Sequence, residues 1–226
     1  MSWVLANLPT IAGHLLAHLL QAVPAIIASF VLAIPIARLA RVTRPLRAVL
    51  VTGSSLLYAV PSLALFVILP VILATGIRDP FNVIVALTLY GLALLVPATA
   101  DALDAVDARV LDAATAMGMG RLRCFLTVEL PLAGPAILTG LRVVTVSTIS
   151  LTTVGAVLGV RSLGWLFTDG FQRGITAEIV TGLVATAALA LVLDGLVLAL
   201  GWLCLPWTWK RAEAGPAASQ NQEGKA

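Results

Sequence analysis

Residues 112–135 read DAATAMGMGRLRCFLTVELPLAGP, in a chain whose residues are 60% hydrophobic. The stretch holds two charges of each sign, two glycines around a methionine and a Leu-Pro step. A plain spacer between apolar segments has no need of helix, turn, helix and stop in such close order. Working upstream, Asp107 is placed to cap a short helix by accepting a backbone N–H, and RVLDAATAM follows as good helix formers. Gly118 and Gly120 permit a sharp reversal, since glycine takes positive φ without a Cβ clash. RLRCFLTVEL is expected as a second short helix that Pro131 ends, because proline disfavours helical geometry in the residue before it. Two short helices at an angle make a rigid protrusion. Ala113, Ala114 and Ala116 give it a smooth face that another backbone can approach.

On either side of this stretch the chain is unusually apolar. Mean hydropathy is +1.03, and 11% of the residues are charged, against about 25% in a soluble domain. About 20 apolar residues make a helix that crosses the hydrocarbon core. Five stretches qualify: 15–37, 50–75, 83–100, 134–160 and 177–205. The second is interrupted by Pro61 and Pro70, so a kink or tilt is expected there. No strand-like alternation runs through these segments, and unpaired backbone is untenable in lipid, so the fold class is all-α integral membrane. One transmembrane domain over 15–207 is expected, with its polar loop at 101–133. An extracytoplasmic segment over 1–14 and a polar tail over 208–226 flank it. The opening MSWVLANLPT lacks a basic leader region, so no cleavable signal is expected.

The basic residues are unevenly placed. Eleven of the fourteen Lys and Arg follow the first, third and fifth spans or start the fourth, including Arg38, Arg41, Arg44, Arg47, Arg109, Arg121 and Arg123. Arg78, Arg161 and Arg173 fall on the other side. This is the positive-inside bias. It places the amino terminus outside, the carboxyl terminus in the cytoplasm and the opening stretch on the cytoplasmic side. The charge orients the chain in lipid, and nucleic acid is not an expected partner.

Asp112-Ala113-Ala114, three residues, Gly118, nine residues, Val128, one residue, Leu130-Pro131 resembles a signature of the permease subunits of bacterial binding-protein-dependent ABC importers. In that family the pattern is Glu-Ala-Ala, three residues, Gly, nine residues, Ile, any residue, Leu-Pro, so Asp replaces Glu and Val replaces Ile. The resemblance implies a type I importer permease with about five transmembrane helices and cytoplasmic coupling helices. It also implies that Asp112, Ala113, Ala114, Gly118, Val128, Leu130 and Pro131 form the segment docking on the ATPase. The implied partners are cytoplasmic ABC ATPase subunits, an extracytoplasmic substrate-binding protein and a second permease subunit, identical or homologous. PSLALFVILPVIL (61–73), SLGWLFTDGFQ and VLDGLVLAL resemble the osmoprotectant branch, whose solutes are glycine betaine, proline betaine, carnitine and choline. Where relatives often have Gly-Gly-Leu-Gly after the fourth span, this chain has Arg161-Ser162-Leu163-Gly164. Five spans also suit methionine-type permeases.

No P-loop accompanies the chain's two lysines, Lys210 and Lys225, so ATP hydrolysis is expected in a separate subunit. No nucleophile–base pair, carboxylate pair or zinc motif points to an enzyme, and no cofactor is expected. Thr145, Thr148 and Thr152 recur at helical spacing in the fourth span. With Tyr58, Pro61, Ser62 and Tyr90 they are candidates to line a path for a quaternary ammonium, whose charge suits aromatic faces. The competing expectation is that these hydroxyls bond their own helix. Arg142 and Asp194 lie at similar depth and are expected to form an intramembrane ion pair. His14 and His18 share a helical face without a third ligand, and interfacial anchoring is expected of them. Cys124 and Cys204 are expected as free thiols. A methionine or other small-solute importer, and a membrane scaffold that transports nothing, are the alternatives.

Overall fold

The structure is a computed structural model that describes residues 2–206; the polar tail expected at 208–226 lies outside the described residues. The described chain is helical and has no strand. A short α1 (Ser2–Ala6) precedes α2 (Leu8–Ala40), so the first long helix begins within the segment expected to stay outside the membrane. There follow α3 (Arg44–Tyr58), α4 (Ser62–Leu73), α5 (Pro80–Asp104), α6 (Ala108–Ala116), α7 (Arg121–Leu158), α8 (Trp165–Arg173) and α9 (Thr176–Cys204).

Four of these, α2, α5, α7 and α9, are long and apolar enough to cross a membrane. The fifth crossing is α3 with α4, which meet at a bend of 109°. The expected kink is a complete break, over Ala59 to Pro61. Contacts between helix ends establish that the broken pair crosses. Arg41, just after α2, pairs with Asp104 at the end of α5 and Glu129 near the start of α7. Thr75 after α4 bonds Asn82 at the start of α5 at 2.5 Å. Gln21 of α2, twenty residues before Arg41, bonds the Arg161 carbonyl beyond α7 at 2.7 Å. So α2 and α5 run parallel, and the chain between them must return from one end to the other. This is a multi-pass membrane architecture.

Lipid tails are as apolar as leucine, so close backbone approach rather than water exclusion holds such helices together. The sequence provides it. On α2, Ala22, Ala25, Ala33, Ala37 and Ala40 are all fully buried. At Gly91 of α5 an added Cβ would stand 2.1 Å from Ser29 Oγ, so α2 and α5 touch there with no room for a methyl group. Ser29 turns its hydroxyl to the Ala25 carbonyl at 2.7 Å and reaches the Thr88 carbonyl of α5 at 3.2 Å. Helix α5 is the hub, with over half of its most apolar stretch buried, whereas almost none of that of α9 is. The last span therefore hangs on the periphery, attached to α7 and α8.

At the end opposite the arginine cluster, SLGWLFTDGFQ folds as a turn followed by the short helix α8, with Leu166 fully buried and Phe171 78% exposed. The Arg161–Gly164 turn depends on its last residue: a Cβ on Gly164 would fall 2.1 Å from the Thr153 carbonyl oxygen. Ser162 is buried, and its Oγ accepts the Gly164 N–H at 3.2 Å. His14 stacks on Trp165 with centroids 4.6 Å apart, and His18 is fully buried. Both histidines thus pack inside the protomer and are not interfacial anchors, because α8 folds back over the start of α2. Cys124 and Cys204 are free thiols.

Candidate docking knuckle and membrane pathway

The polar loop stands at the end that carries Arg38, Arg41, Arg44 and Arg47. Asp107 caps α6 by accepting the Arg109 N–H at 2.9 Å. After Ala116 the backbone closes a paired-bond helix stop: Met119 N–H donates to the Ala114 carbonyl at 3.2 Å and Gly118 N–H to the Thr115 carbonyl at 2.9 Å. Gly118 at φ +84° makes the reversal possible; a residue with a Cβ pays about 1–2 kcal/mol in that left-handed region. Nothing lies within 4 Å of the Cβ position at Gly118. The turn is open to a partner.

The expected second short helix does not stop at Pro131. Helix α7 starts at Arg121 and runs into the fourth span, with a π turn over Phe125–Glu129 just before the proline. Proline removes an i to i−4 bond, and a π turn is a local widening in which that bonding register already changes, so the helix carries on. The protrusion is one free helix, α6, and the amino-terminal end of a long one, α7.

Six of the seven signature residues separate into two groups. Asp112, Ala113 and Gly118 are exposed on the knuckle. Ala114 is 2% exposed and faces the body. Val128, Leu130 and Pro131 are half-buried where α7 enters the bundle, and Leu130 packs against the cluster formed by Ala37, Ala100, Leu103, Phe125 and Ile137. The first group presents a surface and the second fixes the root of the helix that carries it. Around the knuckle, Met117 is 73% and Leu122 61% exposed. These large apolar side chains stand beside the charged residues Asp112, Arg121 and Arg123 on the same exposed knuckle.

Sequence reasoning missed what ties the knuckle down. Arg41 Nε donates to Asp104 Oδ1 at 2.9 Å, and its Nη1 to Glu129. Arg47 pairs with Asp104 and reaches Asp101 at 3.4 Å. The Arg38 guanidinium lies 4.1 Å over the Phe125 ring. The Arg38, Arg41, Arg44, Arg47 run was legible as an orientation signal, but nothing in its spacing names its acidic partners 54 to 88 residues away.

Inside the membrane-crossing region the candidate path residues fall into two environments. Thr145, Thr148 and Thr152 are buried in the protomer. The Thr145 hydroxyl donates to the Leu141 carbonyl at 2.9 Å and that of Thr152 to the Thr148 carbonyl at 2.7 Å. These are bonds within their own helix, and the three side chains serve packing between α7 and its neighbours. Tyr90 is 3% exposed and donates to the Val60 carbonyl at 2.6 Å, which fixes the break between α3 and α4. Tyr58 stands edge-on to Tyr90, 5.9 Å between centroids, and is 46% exposed. Pro61 is exposed and Ser62 half-exposed at the same break. Lower in the bundle Arg142 and Asp194 meet as a two-pronged pair, Nε to Oδ1 at 2.8 Å and Nη2 to Oδ2 at 2.7 Å.

Residues 25–201 match the family described as binding-protein-dependent transport system inner membrane component. Among curated proteins, the chain is 29% identical over 187 residues to OpuCD of Bacillus subtilis (strain 168), a glycine betaine/carnitine/choline transport system permease protein; the match covers 82% of this chain and 79% of that one. It is 33% identical over 151 residues to EgtU of Helicobacter pylori (strain G27), an ergothioneine transport permease/ergothioneine binding protein. That match covers 67% of this chain and 27% of EgtU, so the chain spans about a quarter of that relative's length. Among solved structures, a chain of the MetNI methionine ABC transporter in an inward-facing conformation superposes with a TM-score of 0.71. The identity is 21%, with 87% of this chain and 94% of that chain covered, so the likeness is one of fold.

Proposed function

The chain belongs to the family of inner membrane components of binding-protein-dependent transport systems, and from that premise we propose that it is the permease subunit of an ATP-driven importer for trimethylammonium solutes of the glycine betaine, choline and carnitine kind. The observation that carries the mechanism is the exposed knuckle. A Gly118-stopped helix bearing Asp112, Ala113 and open apolar neighbours projects from the root that Val128, Leu130 and Pro131 hold. ATP is hydrolysed in a separate cytoplasmic subunit that docks there, and its closure tilts the spans. The amino terminus lies outside and the carboxyl terminus in the cytoplasm, because the arginine-rich end is the one that stays inside. A second permease copy or homologue completes the path, and an extracytoplasmic binding protein delivers the solute.

The solute class rests on the relatives and on chemistry. Glycine betaine, carnitine, choline and ergothioneine, the solutes in the relatives' names, all carry a trimethylammonium group. The break between α3 and α4 supports a path at that place. Irregular backbone at membrane depth is tolerated where it is covered by protein or lines a water-filled cavity, not against lipid. Ala59, Val60 and Pro61 are exposed in the protomer, roughly 20 Å along the helix from Arg44, so this face belongs to the path or the partner copy. Tyr58 presents its ring there, held edge-on by Tyr90, and Ser62 opens the second half-helix. A cation over a tyrosine face is worth about 0.5–2 kcal/mol, enough to guide a desolvated trimethylammonium without trapping it.

The test is ATP-driven uptake by the full chain, purified with its ATPase and binding protein and reconstituted in liposomes. Glycine betaine, choline, carnitine and ergothioneine should enter in an ATP-dependent way, and methionine should not compete. Tyr58→Ala should raise the KM for the imported solute about tenfold, with Tyr58→Phe near the parent value. Methionine uptake without betaine uptake would overturn the solute class, and a purified complex with no nucleotide-hydrolysing subunit would overturn the transporter reading altogether.

A further inference from the structure

We infer that Arg41 is a positioning residue that makes the first span follow the knuckle. The polar loop leaves the bundle at Asp104 and re-enters it at Glu129, and one guanidinium binds both carboxylates. Arg41 belongs to neither helix that carries the loop. It is the residue at which α2 ends, 33 helical residues from the other side of the membrane. Helices α5 and α7 continue directly into the knuckle and move with it through the backbone. Helix α2 has no such continuity, since Val42 and Thr43 lead from it into α3. Its charged connections to the loop run through Arg41 and, one turn earlier, through Arg38 stacked on Phe125, beside the apolar packing of Ala37 against Leu103 and Phe125.

The chemistry suits transmission better than it suits simple adhesion. A guanidinium is planar with its donors in a fixed fork, so moving either carboxylate turns the whole group. Glu129 is buried at 9% exposure and cannot exchange Arg41 for water without cost. Asp104 is shared with Arg47, which reaches Asp101 and anchors α3 to the same point. When the docking subunit rotates the knuckle about its two roots, α2 is pulled through Arg41 and α3 through Arg47.

This inference rests on the proposed transport function, and the experiment separates the two. The full chain with its ATPase and binding protein is reconstituted, and ATP hydrolysed per solute imported is measured with radiolabelled glycine betaine, choline and carnitine as probes. The variant pair Arg41→Met with Glu129→Met removes the link without leaving a buried unpaired charge. It should keep its ATPase bound and hydrolysing while the ATP consumed per solute rises about tenfold. A residue that only stabilised the fold would lower the amount of complex and both activities together, leaving the ratio alone. Arg41→Lys, which keeps the charge but holds one carboxylate at a time, should give a smaller rise, and it decides the matter if the double variant does not accumulate. A parental ratio in whichever of these variants accumulates overturns the role of Arg41 while leaving the importer reading intact. Failure of the parent chain to import any probe overturns both.

Discussion

Gly118→Trp will leave the chain inserted in the membrane and abolish coupled uptake. The position tolerates the indole sterically within the protomer, because nothing lies within 4 Å of its Cβ site and the residue is exposed. The backbone cost of a side chain at φ +84° is about 1–2 kcal/mol, small against the total stability of a domain. The damage falls on the docked state. An indole on the turn holds the partner off the surface formed by Asp112, Ala113 and Met117, and the central contacts of an interface carry 2 kcal/mol or more each. Losing two of them weakens docking by roughly a thousandfold at 1.4 kcal/mol per decade. Membrane yield should therefore match the parent while the ATPase subunit no longer co-purifies. Gly118→Ala, which pays the backbone cost without the bulk, should retain most uptake. Parental uptake by the tryptophan variant would mean that the knuckle meets no partner.

Reversing one charge of the Arg142–Asp194 pair will prevent the last span from packing, and reversing both will restore it. Helix α9 is the least buried of the four long helices and meets α7 through narrow contacts, with Gly201 against Leu138 and Gly134 against Leu205. The two-pronged pair is the charged tie between them, at 2.8 and 2.7 Å. Arg142→Asp or Asp194→Arg sets like charges face to face where each now serves as the other's partner. Steady-state protein should fall about tenfold or more in either single variant, since the charged tie between α7 and α9 becomes a repulsion. The double reversal rebuilds a pair of the same geometry and should recover most of the protein. Equal loss in the single and double variants would show that each charge serves a different partner.

Much of the architecture was legible because membrane helices declare themselves by length and composition. Five apolar stretches became five crossings, and Asp107 and Gly118 marked the two ends of α6. Pro131 shows where local rules stop. In water a proline after such a run ends a helix, but here the π turn over Phe125–Glu129 and the packing of Leu130 keep α7 running. The break at Ala59–Pro61 was visible as a proline, yet its 109° bend depends on Tyr90 holding the Val60 carbonyl from another helix. The threonines of the fourth span had the spacing of a path and the environment of a packed helix face. Spacing alone carries no information on which side of a helix its neighbours choose.

Taken by itself, then, the chain of residues determined the class of solvent, the number of crossings, the basic side and the place of the turn at Gly118. All four follow from hydropathy, charge count and backbone freedom, which act within a few residues or add up along the chain. Only the tertiary structure decided that Arg41 would join Asp104 to Glu129, that His14 would lie under Trp165, and that Tyr58 rather than Tyr90 would face open space. Those outcomes depend on which helix faces meet. In lipid that choice is made by small-residue contacts such as Ser29 against Gly91, between positions 62 residues apart, where no local pattern can specify the partner.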